Sequence, residues 1–594
     1  MISRLRLLLA IILTILVVFT VRLMYLQLAL AKEFIALSEQ NFSEERRIPP
    51  LRGRILARDG TVLADNRVAY DLMYRGGRIE QWDRLEALLG LEGEPKQPDF
   101  RRAEERVDGT VLAWNIPEKL VAAVEERVAG QANLYLRERV ERSYPTNLAA
   151  QVVGYTTLAD PVRFPGYAKD DLVGVMGIES SYQSALFGSP GKKVVELDNR
   201  RVVIRSHELV PARPGQDVVL TIDPNVQRLA EDVLQGALRY VNSDRDRTNL
   251  PEEAIVRGAL IALDPRNGEI LAMASAPTFD QNLFTKRPIN PDEVNPILHD
   301  NVNFPLTNRA VEAYPPASTF KLVTSSTLLE KGYIRPDSLY SCSASFTLSG
   351  ITWKNWANYG KGNYNVKQAI ADSCNTFFWH AVADTPNATK GWAPFIQALV
   401  GRARELGYDQ PVGVGLNEEK SGRIPDDAWV RAQPRYDHGW LPGFTLNTVI
   451  GQGDVLATPI QVAQLVSTIA MNGLQVRPHL VKAVGEQKIA SEARHIPGRY
   501  WDVLQQGMRM MFTDFPSRRL LGPGVFPVDI AGKTGTAQTP RGGDYTHAWF
   551  MGYGPIEDPE LAVAVFIEYG GSSSRVSVPV ARDFLAGYWG VDAQ

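Results

Sequence analysis

Residues 258–274 read GALIALDPRNGEILAMA. Two short apolar runs, 258–264 and 269–274, flank Pro265-Arg266-Asn267-Gly268. Asn-Gly between apolar runs is a strong hairpin signal, because both residues tolerate the positive φ that a tight turn demands. The stretch therefore predicts two antiparallel strands. Far downstream, 527–531, 548–552 and 561–567 read as three more strands, and 581–588 as a closing helix. Helical patterning dominates the stretch between. Strands at both ends of a helix-rich middle predict an α+β domain, an antiparallel sheet covered by helices with its first and last segments adjacent.

Upstream of the hairpin, Pro211 to Gly215 is a punctuated stretch, and 217–223 reads as a short strand. Asp223-Pro224 then starts a helix, with Asp as N-cap and Pro at the first helical position. The domain boundary is placed here. Residues 31–210 form a separate, non-catalytic region and 211–594 the second domain. The first region opens with an amphipathic stretch that Pro49-Pro50 breaks. Asp59-Gly60 predicts a hairpin. Residues 76–142, rich in Glu and Arg, show helical apolar spacing at Leu120, Val121, Val124 and Val128.

The N-terminus is apolar from Leu7 to Val21, apart from Thr14 and Thr20, and stays largely apolar to Leu30. A run of about 20 residues is needed to cross a bilayer. Residues 1–30 are read as a cytoplasmic tip and an uncleaved transmembrane helix, with Arg22 reaching to the interface. Arg4 and Arg6 precede the run and favour a cytoplasmic N-terminus, which puts the bulk of the chain outside. The competing reading is a cleaved signal peptide ending near Ala29-Leu30-Ala31.

The whole chain has 594 residues, 44% hydrophobic and 22% charged, and a net charge of -3. The length calls for at least two domains, and the composition excludes wholesale disorder. No long Lys/Arg block points to nucleic acid. Seven scattered histidines, without HExxH or CxxC spacing, give no metal motif. Cys342 and Cys374 are the only cysteines. The reading leans towards two free thiols, since sequence does not place their Cα atoms within bonding range.

Chemistry enters at Tyr314-Pro315-Pro316-Ala317-Ser318-Thr319-Phe320-Lys321-Leu322-Val323. The prolines stop whatever precedes them and favour a helix start just beyond. Ser318 then sits in the first turn, with Lys321 three residues on and on the same face. A serine hydroxyl needs a base to act as nucleophile. A lysine supplies one if burial or a nearby cation lowers its pKa. Alone the pattern is weak, and the bland alternative is a helix-start serine followed by a solvated lysine. Ser189-Pro190-Gly191-Lys192 repeats the pattern, but its Pro-Gly demands a turn.

Two further motifs bear on it. Ser373-Cys374-Asn375 opens a helix expected over 373–381. Its hydroxyl and amide serve a cleft, as proton relay and carbonyl binder, if the backbone there is non-helical; otherwise they simply cap. In Ile530-Ala531-Gly532-Lys533-Thr534-Gly535-Thr536-Ala537, a strand presents Lys533 and Gly535 on one face and Thr534 and Thr536 on the other. Gly535 leaves room for a ligand backbone. Lys533 and a threonine hydroxyl suit a carboxylate, and a second cation also depresses the pKa of Lys321. Lys420-Ser421-Gly422 imitates this motif without an apolar strand leading in, and reads as loop.

In this order the three motifs resemble those of the penicilloyl-serine transferases, the penicillin-binding proteins and serine β-lactamases. The resemblance covers almost the whole chain. Arg52-Gly53-Arg54-Ile55 with Asp59-Gly60, Arg142-Ser143-Tyr144-Pro145, Gly154-Tyr155 and Gly174-Val175-Met176-Gly177-Ile178-Glu179 look like the pedestal of the class B members. Asn308-Arg309-Ala310 and Gly451-Gln452-Gly453 look like its catalytic half, and His547-Ala548-Trp549-Phe550 looks more like the elongation type than the septal type. Pro-Pro-Ala-Ser departs mildly from the family's Pro-Pro-Gly-Ser.

The resemblance implies a five-stranded antiparallel sheet between helices, an elongated α/β pedestal and a single membrane helix. It implies peptidoglycan D,D-transpeptidation through a Ser318 acyl-enzyme, with Lys321 as base and Ser373, Asn375 and Lys533 in the catalytic set. Thr534, Gly535 and Thr536 would bind substrate, and the backbone N–H groups of Ser318 and Thr536 would form the oxyanion hole. It implies acylation by β-lactams, no cofactor and no metal. The implied partners are stem peptides, the membrane and a RodA-type SEDS-family glycosyltransferase, contacted through anchor and pedestal. The rivals are a septal transpeptidase, a D,D-carboxypeptidase or β-lactamase that lets water deacylate the enzyme, and a β-lactam sensor.

Overall fold

The computed structural model describes residues 2–29, 43–91, 93, 95–96, 109–169, 171–197, 203–243, 257–385, 393–436, 438–542 and 545–592. The amphipathic stretch expected after the anchor lies mostly outside them. The N-terminal apolar run forms α1, Ile2–Met24, continued by a π-type turn over Tyr25–Ala29. It is long and apolar enough to cross a membrane. Thr14 and Thr20 donate their hydroxyls to the carbonyls of Ala10 and Leu16, each at 2.8 Å, so neither hydroxyl needs water. One N-terminal helix thus fits a single-pass membrane anchor.

The chain packs as two compact units, each built from separated stretches. The first comprises residues 1–52, 67–141 and 187–215. It contains a three-stranded antiparallel sheet of Ser43–Ile48, Gly191–Leu197 and Val203–Val210, with Gly191–Leu197 in the middle. A small separate core gathers Leu72, Trp82, Leu85, Val124 and Leu134.

The helical reading of 76–142 is only partly right. Trp82–Leu89 and Glu118–Val128 are helices, but Thr110–Ala113 and Leu134–Ser143 are strands. The second strand was hidden by its charges. Asp71 and Glu141 are buried and take Arg137, Arg139 and Arg67 as partners, so charged residues here face inward. Burial pushes the Asp71 carboxyl up, but hydrogen bonds from Arg139 and Arg137 outweigh it and hold the group below its ordinary range.

The second unit comprises residues 53–66, 142–186 and 216–594. Its Asp59-Gly60 turn joins Ile55–Leu56 to the start of the strand Val62–Tyr74, as the hairpin signal predicted. Its main sheet has five antiparallel strands: β1 (Gly258–Leu263), β2 (Ile270–Ala276), β3 (Ala531–Ala537), β4 (His547–Gly554) and β5 (Leu561–Ile567). Their order across the sheet is β2-β1-β5-β4-β3. The opening hairpin therefore pairs with the last strand, Ile261 opposite Ala564. The strand expected over 527–531 begins only at Ala531, so the Lys-Thr-Gly motif lies on the strand itself.

Both faces of this sheet are buried, which is why its strands read as continuous apolar runs. On one face Leu260, Phe550, Val563 and Val565 join a core with α2 (Pro224–Ser243) and the C-terminal helix Ser577–Trp589. On the other face Ile261, Trp549, Ala564 and Phe566 join the larger core. That core includes α3 (Lys321–Glu330), α4 (Asn375–Ala383) and α5 (Pro459–Ala470).

Ile261 is fully buried on the central pair of strands. Ile261→Ala is expected to destabilise this unit by roughly 2–5 kcal/mol, read from its chemical unfolding transition.

Candidate active site

Ser318 lies in a 3-10 turn, Ala317–Phe320, that runs directly into α3. The turn is fixed from three sides. Trp549 of β4 donates its indole N–H to the Pro315 carbonyl at 2.9 Å, and Thr319 donates its hydroxyl to the Pro316 carbonyl at 2.6 Å. The Ala317 N–H donates to the Gly451 carbonyl at 2.8 Å. Ala317 has a left-handed φ of 51°, a strained value for a residue with a side chain. A Cβ on Gly451 would meet the Ala317 carbonyl oxygen at 2.1 Å, so only glycine fits there.

Lys321, one turn further, is completely buried. Its ammonium donates to the Ser373 carbonyl at 2.7 Å, the Asn375 Oδ1 at 2.6 Å and the Ser373 Oγ at 3.2 Å. The second motif thus reaches the first. The helix expected over 373–381 starts at Asn375, with Cys374 as its N-cap. Ser373 precedes it in the left-handed region, φ 57°, the non-helical backbone that the cleft reading requires.

The third motif runs along β3. Lys533 is fully buried and donates to the Thr534 carbonyl at 2.8 Å. Thr534 and Thr536 face the cleft, so the expected alternation holds. Gly535 faces the nucleophile's own turn. A Cβ there would meet the Pro316 carbonyl oxygen at 3.0 Å and Thr319 Cγ2 at 3.2 Å, so the space a side chain would need is filled by protein. Thr536 also shares a 2.7 Å hydroxyl contact with Ser573, and Ser573 donates to the Gly535 carbonyl.

These elements line a cleft of about 680 Å³ that includes Ser318, Ser373, Asn375, Thr534 and Thr536. Burial is the main force on both lysines. It drives Lys321 well below the ordinary lysine value, and the charge of Lys533 lowers it further, while Asp372 pulls the other way. Burial brings Lys533 down to about 7. A neutral lysine amine keeps a lone pair and two N–H donors, so one of the three contacts of Lys321 opens as it loses its proton. The longest is the Ser373 hydroxyl, which is free to turn and pass a proton. The cleft can therefore deprotonate a serine, bind an anion beside it and relay a proton to a leaving group.

Gln452, in the triplet that the family resemblance picked out, and several residues that the sequence reading missed complete the cleft. Gln452 donates to the Thr536 carbonyl at 3.2 Å. Asp372 is buried beside Ser373 and takes Lys361 at 2.7 Å and Tyr364 at 3.1 Å. Trp356 donates to the Asp372 carbonyl at 3.2 Å, and Lys361 sits 4.0 Å over its ring. Ser573 lies 37 residues beyond Thr536 and carries no local signal. The two cysteines, expected as thiols, form a disulfide with Cα atoms 6.0 Å apart. The fold brings together segments 32 residues apart, and no pattern in the sequence gives that proximity. The two decoys stay apart: Ser189-Lys192 lies in the first unit, and Lys420-Ser421-Gly422 is loop.

A family model described as the penicillin binding protein transpeptidase domain matches residues 258–586, and one for the penicillin-binding protein dimerisation domain matches 47–220. The chain is 30% identical to the peptidoglycan D,D-transpeptidase MrdA of Acinetobacter baumannii, over 95% of this chain and 85% of that protein. Among solved structures it resembles a chain of a peptidoglycan synthase complex that coordinates polymerization and crosslinking. That match has 43% identity, a TM-score of 0.80 and 99% coverage of both chains. It also resembles Pseudomonas aeruginosa PBP2 bound to WCK 5153, with 27% identity, a TM-score of 0.66 and 92% and 96% coverage.

Lys533 is a base whose folded pKa, about 7, lies below its ordinary 10.5. Between those values the unfolded chain holds the extra proton, so this group's contribution to folding stability rises with pH there, and its cost is fully felt below pH 7. Lys533→Met is expected to raise the thermal midpoint at pH 7, with the gain shrinking as pH climbs towards 10.5. Midpoints of both proteins across that range check it.

Proposed function

The chain belongs to the penicillin-binding protein transpeptidase family, and from that premise we propose how its cleft works as a serine D,D-transpeptidase that cross-links peptidoglycan during cell elongation. One observation carries the reading: a buried lysine amine, low in pKa, one helical turn from a serine at the cleft and held by the second motif. Lys321 takes the proton of Ser318, whose oxygen attacks the penultimate carbonyl of a stem ending in D-Ala-D-Ala. The backbone N–H groups of Ser318 and Thr536 receive the developing oxyanion. Lys533, Thr534 and Thr536 hold the terminal carboxylate, with Gly535 keeping β3 against the nucleophile's turn. As the C–N bond breaks, the proton passes through Lys321 and Ser373 to the leaving D-alanine, while Asn375 binds the stem's amide. The amine of a neighbouring stem then attacks the ester, and Ser318 recovers its proton. A β-lactam acylates the same oxygen and carries no separate leaving group to depart.

The chain works with a SEDS-type glycan polymerase, in keeping with its similarity to a chain of a polymerizing and crosslinking complex. The finer placement follows the sequence. Arg4 and Arg6, in the first turns of α1 ahead of its apolar run, hold the N-terminus in the cytoplasm, so the cleft faces the cell wall from the outer side of the plasma membrane. The functional division is anchor (1–30), pedestal (31–210) and transpeptidase (211–594). The pedestal's expected role is to contact the polymerase.

Ser318→Ala is expected to abolish covalent labelling by fluorescent penicillin while leaving thermal unfolding unchanged. Peptide mapping of the wild-type adduct is expected to place it on Ser318. An adduct on any other residue would overturn the assignment. In the intact enzyme, release of hydrolysed penicillin should be slow compared with acylation, and fast release would identify a hydrolase instead.

A further inference from the structure

The second motif is gripped from one small lobe on both sides of Ser373. Two short antiparallel pairs build the lobe, Tyr340–Ser341 with Asn363–Tyr364 and Ser345–Leu348 with Ile351–Lys354. Lys361 and Tyr364 hold the carboxylate of Asp372, the residue just before Ser373. Cys342 is bonded to Cys374, the residue just after. The next two positions are tied as well. The Asn375 N–H donates to Asn355 Oδ1 at 3.2 Å, and the Thr376 hydroxyl donates to the Ser343 carbonyl at 3.0 Å. Cys342 is itself anchored by two backbone hydrogen bonds, its N–H to Gly362 at 2.8 Å and the Lys361 N–H to its carbonyl at 2.9 Å.

Between these ties stands Ser373, φ 57°, with its carbonyl on the Lys321 amine. A serine keeps a left-handed backbone only where its surroundings over-determine it. Four of the five ties are hydrogen bonds or ion pairs that water can exchange. The fifth is covalent, and it sits on the residue that shares a peptide bond with both catalytic neighbours.

We infer that the Cys342–Cys374 disulfide is a positioning element for acylation: it fixes the backbone of Ser373 and Asn375 so that their oxygens hold the Lys321 amine for Ser318. The inference rests on the Ser318–Lys321 reading above. Because the second motif's middle residue is a bridge partner, the activity of this cleft also depends on thiol redox state. A phosphine reductant opens the bridge with balanced chemistry: phosphorus is oxidised to the phosphine oxide, water supplies its oxygen and the two protons, and the disulfide becomes two thiols. The remaining ties hold the lobe in place, so the loss falls on the rate of acylation rather than on folding.

The test compares the full-length protein in detergent as isolated, after phosphine reduction and desalting, and as Cys342→Ser, which severs the bridge and leaves Ser373-Cys374-Asn375 intact. The measurements are the second-order rate of fluorescent penicillin acylation against pH, the adduct site and the thermal midpoint. Both opened forms are expected to label Ser318 about ten- to a hundredfold more slowly. Water admitted to Lys321 is expected to move the acid limb of the profile to higher pH. Equal rates and equal acid limbs in open and closed forms would overturn the inference, even with a lowered midpoint, since a mere staple moves only the midpoint. Two free thiols in the protein as isolated would overturn it too. An oxidised protein that takes no penicillin would overturn the Ser318 reading itself, a separate failure.

Discussion

The arrangement of the catalytic unit depends on one constraint: the Lys321 amine must be kept out of water without being stranded. An isolated buried ammonium is prohibitively unfavourable, and a lysine in water is protonated and useless as a base. The structure resolves the conflict with three oxygens from Ser373 and Asn375, at distances an ammonium or a neutral amine can use. A second buried lysine on β3 adds repulsion, which favours the neutral form of the first. Both lysines weaken the fold at neutral pH, and the sheet with its two apolar faces supplies the stability that lets them stay buried.

Much of this was legible in the sequence because it rests on local rules. The Asn-Gly turn, the apolar runs of a sheet covered on both faces, the double proline before Ser318 and the Asp-Pro start of α2 each act over a few residues. The alternation along β3 put Thr534 and Thr536 on the face opposite Lys533 and Gly535, but which face meets the cleft was not legible from it. What escaped depends on partners distant in sequence. Leu134–Ser143 looked helical because its charges obscured a two-residue period, and only Asp71 and its arginines explain buried charge there. The packing units interleave stretches 53–66 and 142–186 with the catalytic residues, whereas any cut of the sequence is linear.

The glycines show how a correct residue can be read for an incomplete reason. Gly535 was expected to admit a ligand, and the structure shows it admitting the turn that carries Ser318. Gly451 does the same from another side, against the Ala317 carbonyl. These contacts press a loop, a strand and a strained turn together, with no side chain on the glycine side of either contact. The nucleophile's turn is therefore set by close packing, which tolerates little adjustment, together with the hydrogen bonds from Trp549 and Thr319. Ser373, by contrast, is held by side chains and a covalent bridge.

The strand order has a consequence for the timing of biogenesis. β5 occupies the middle of the sheet yet is the last of the five strands to be made, and β1 waits some 300 residues for it, a long loop closure. A nascent chain that already contains Ser318, Lys321 and Ser373 still lacks the strand that seats both halves of the sheet. During synthesis Ser318 is present but has no assembled cleft around it. The cleft is complete only when the final strand slots in between the two halves of the sheet.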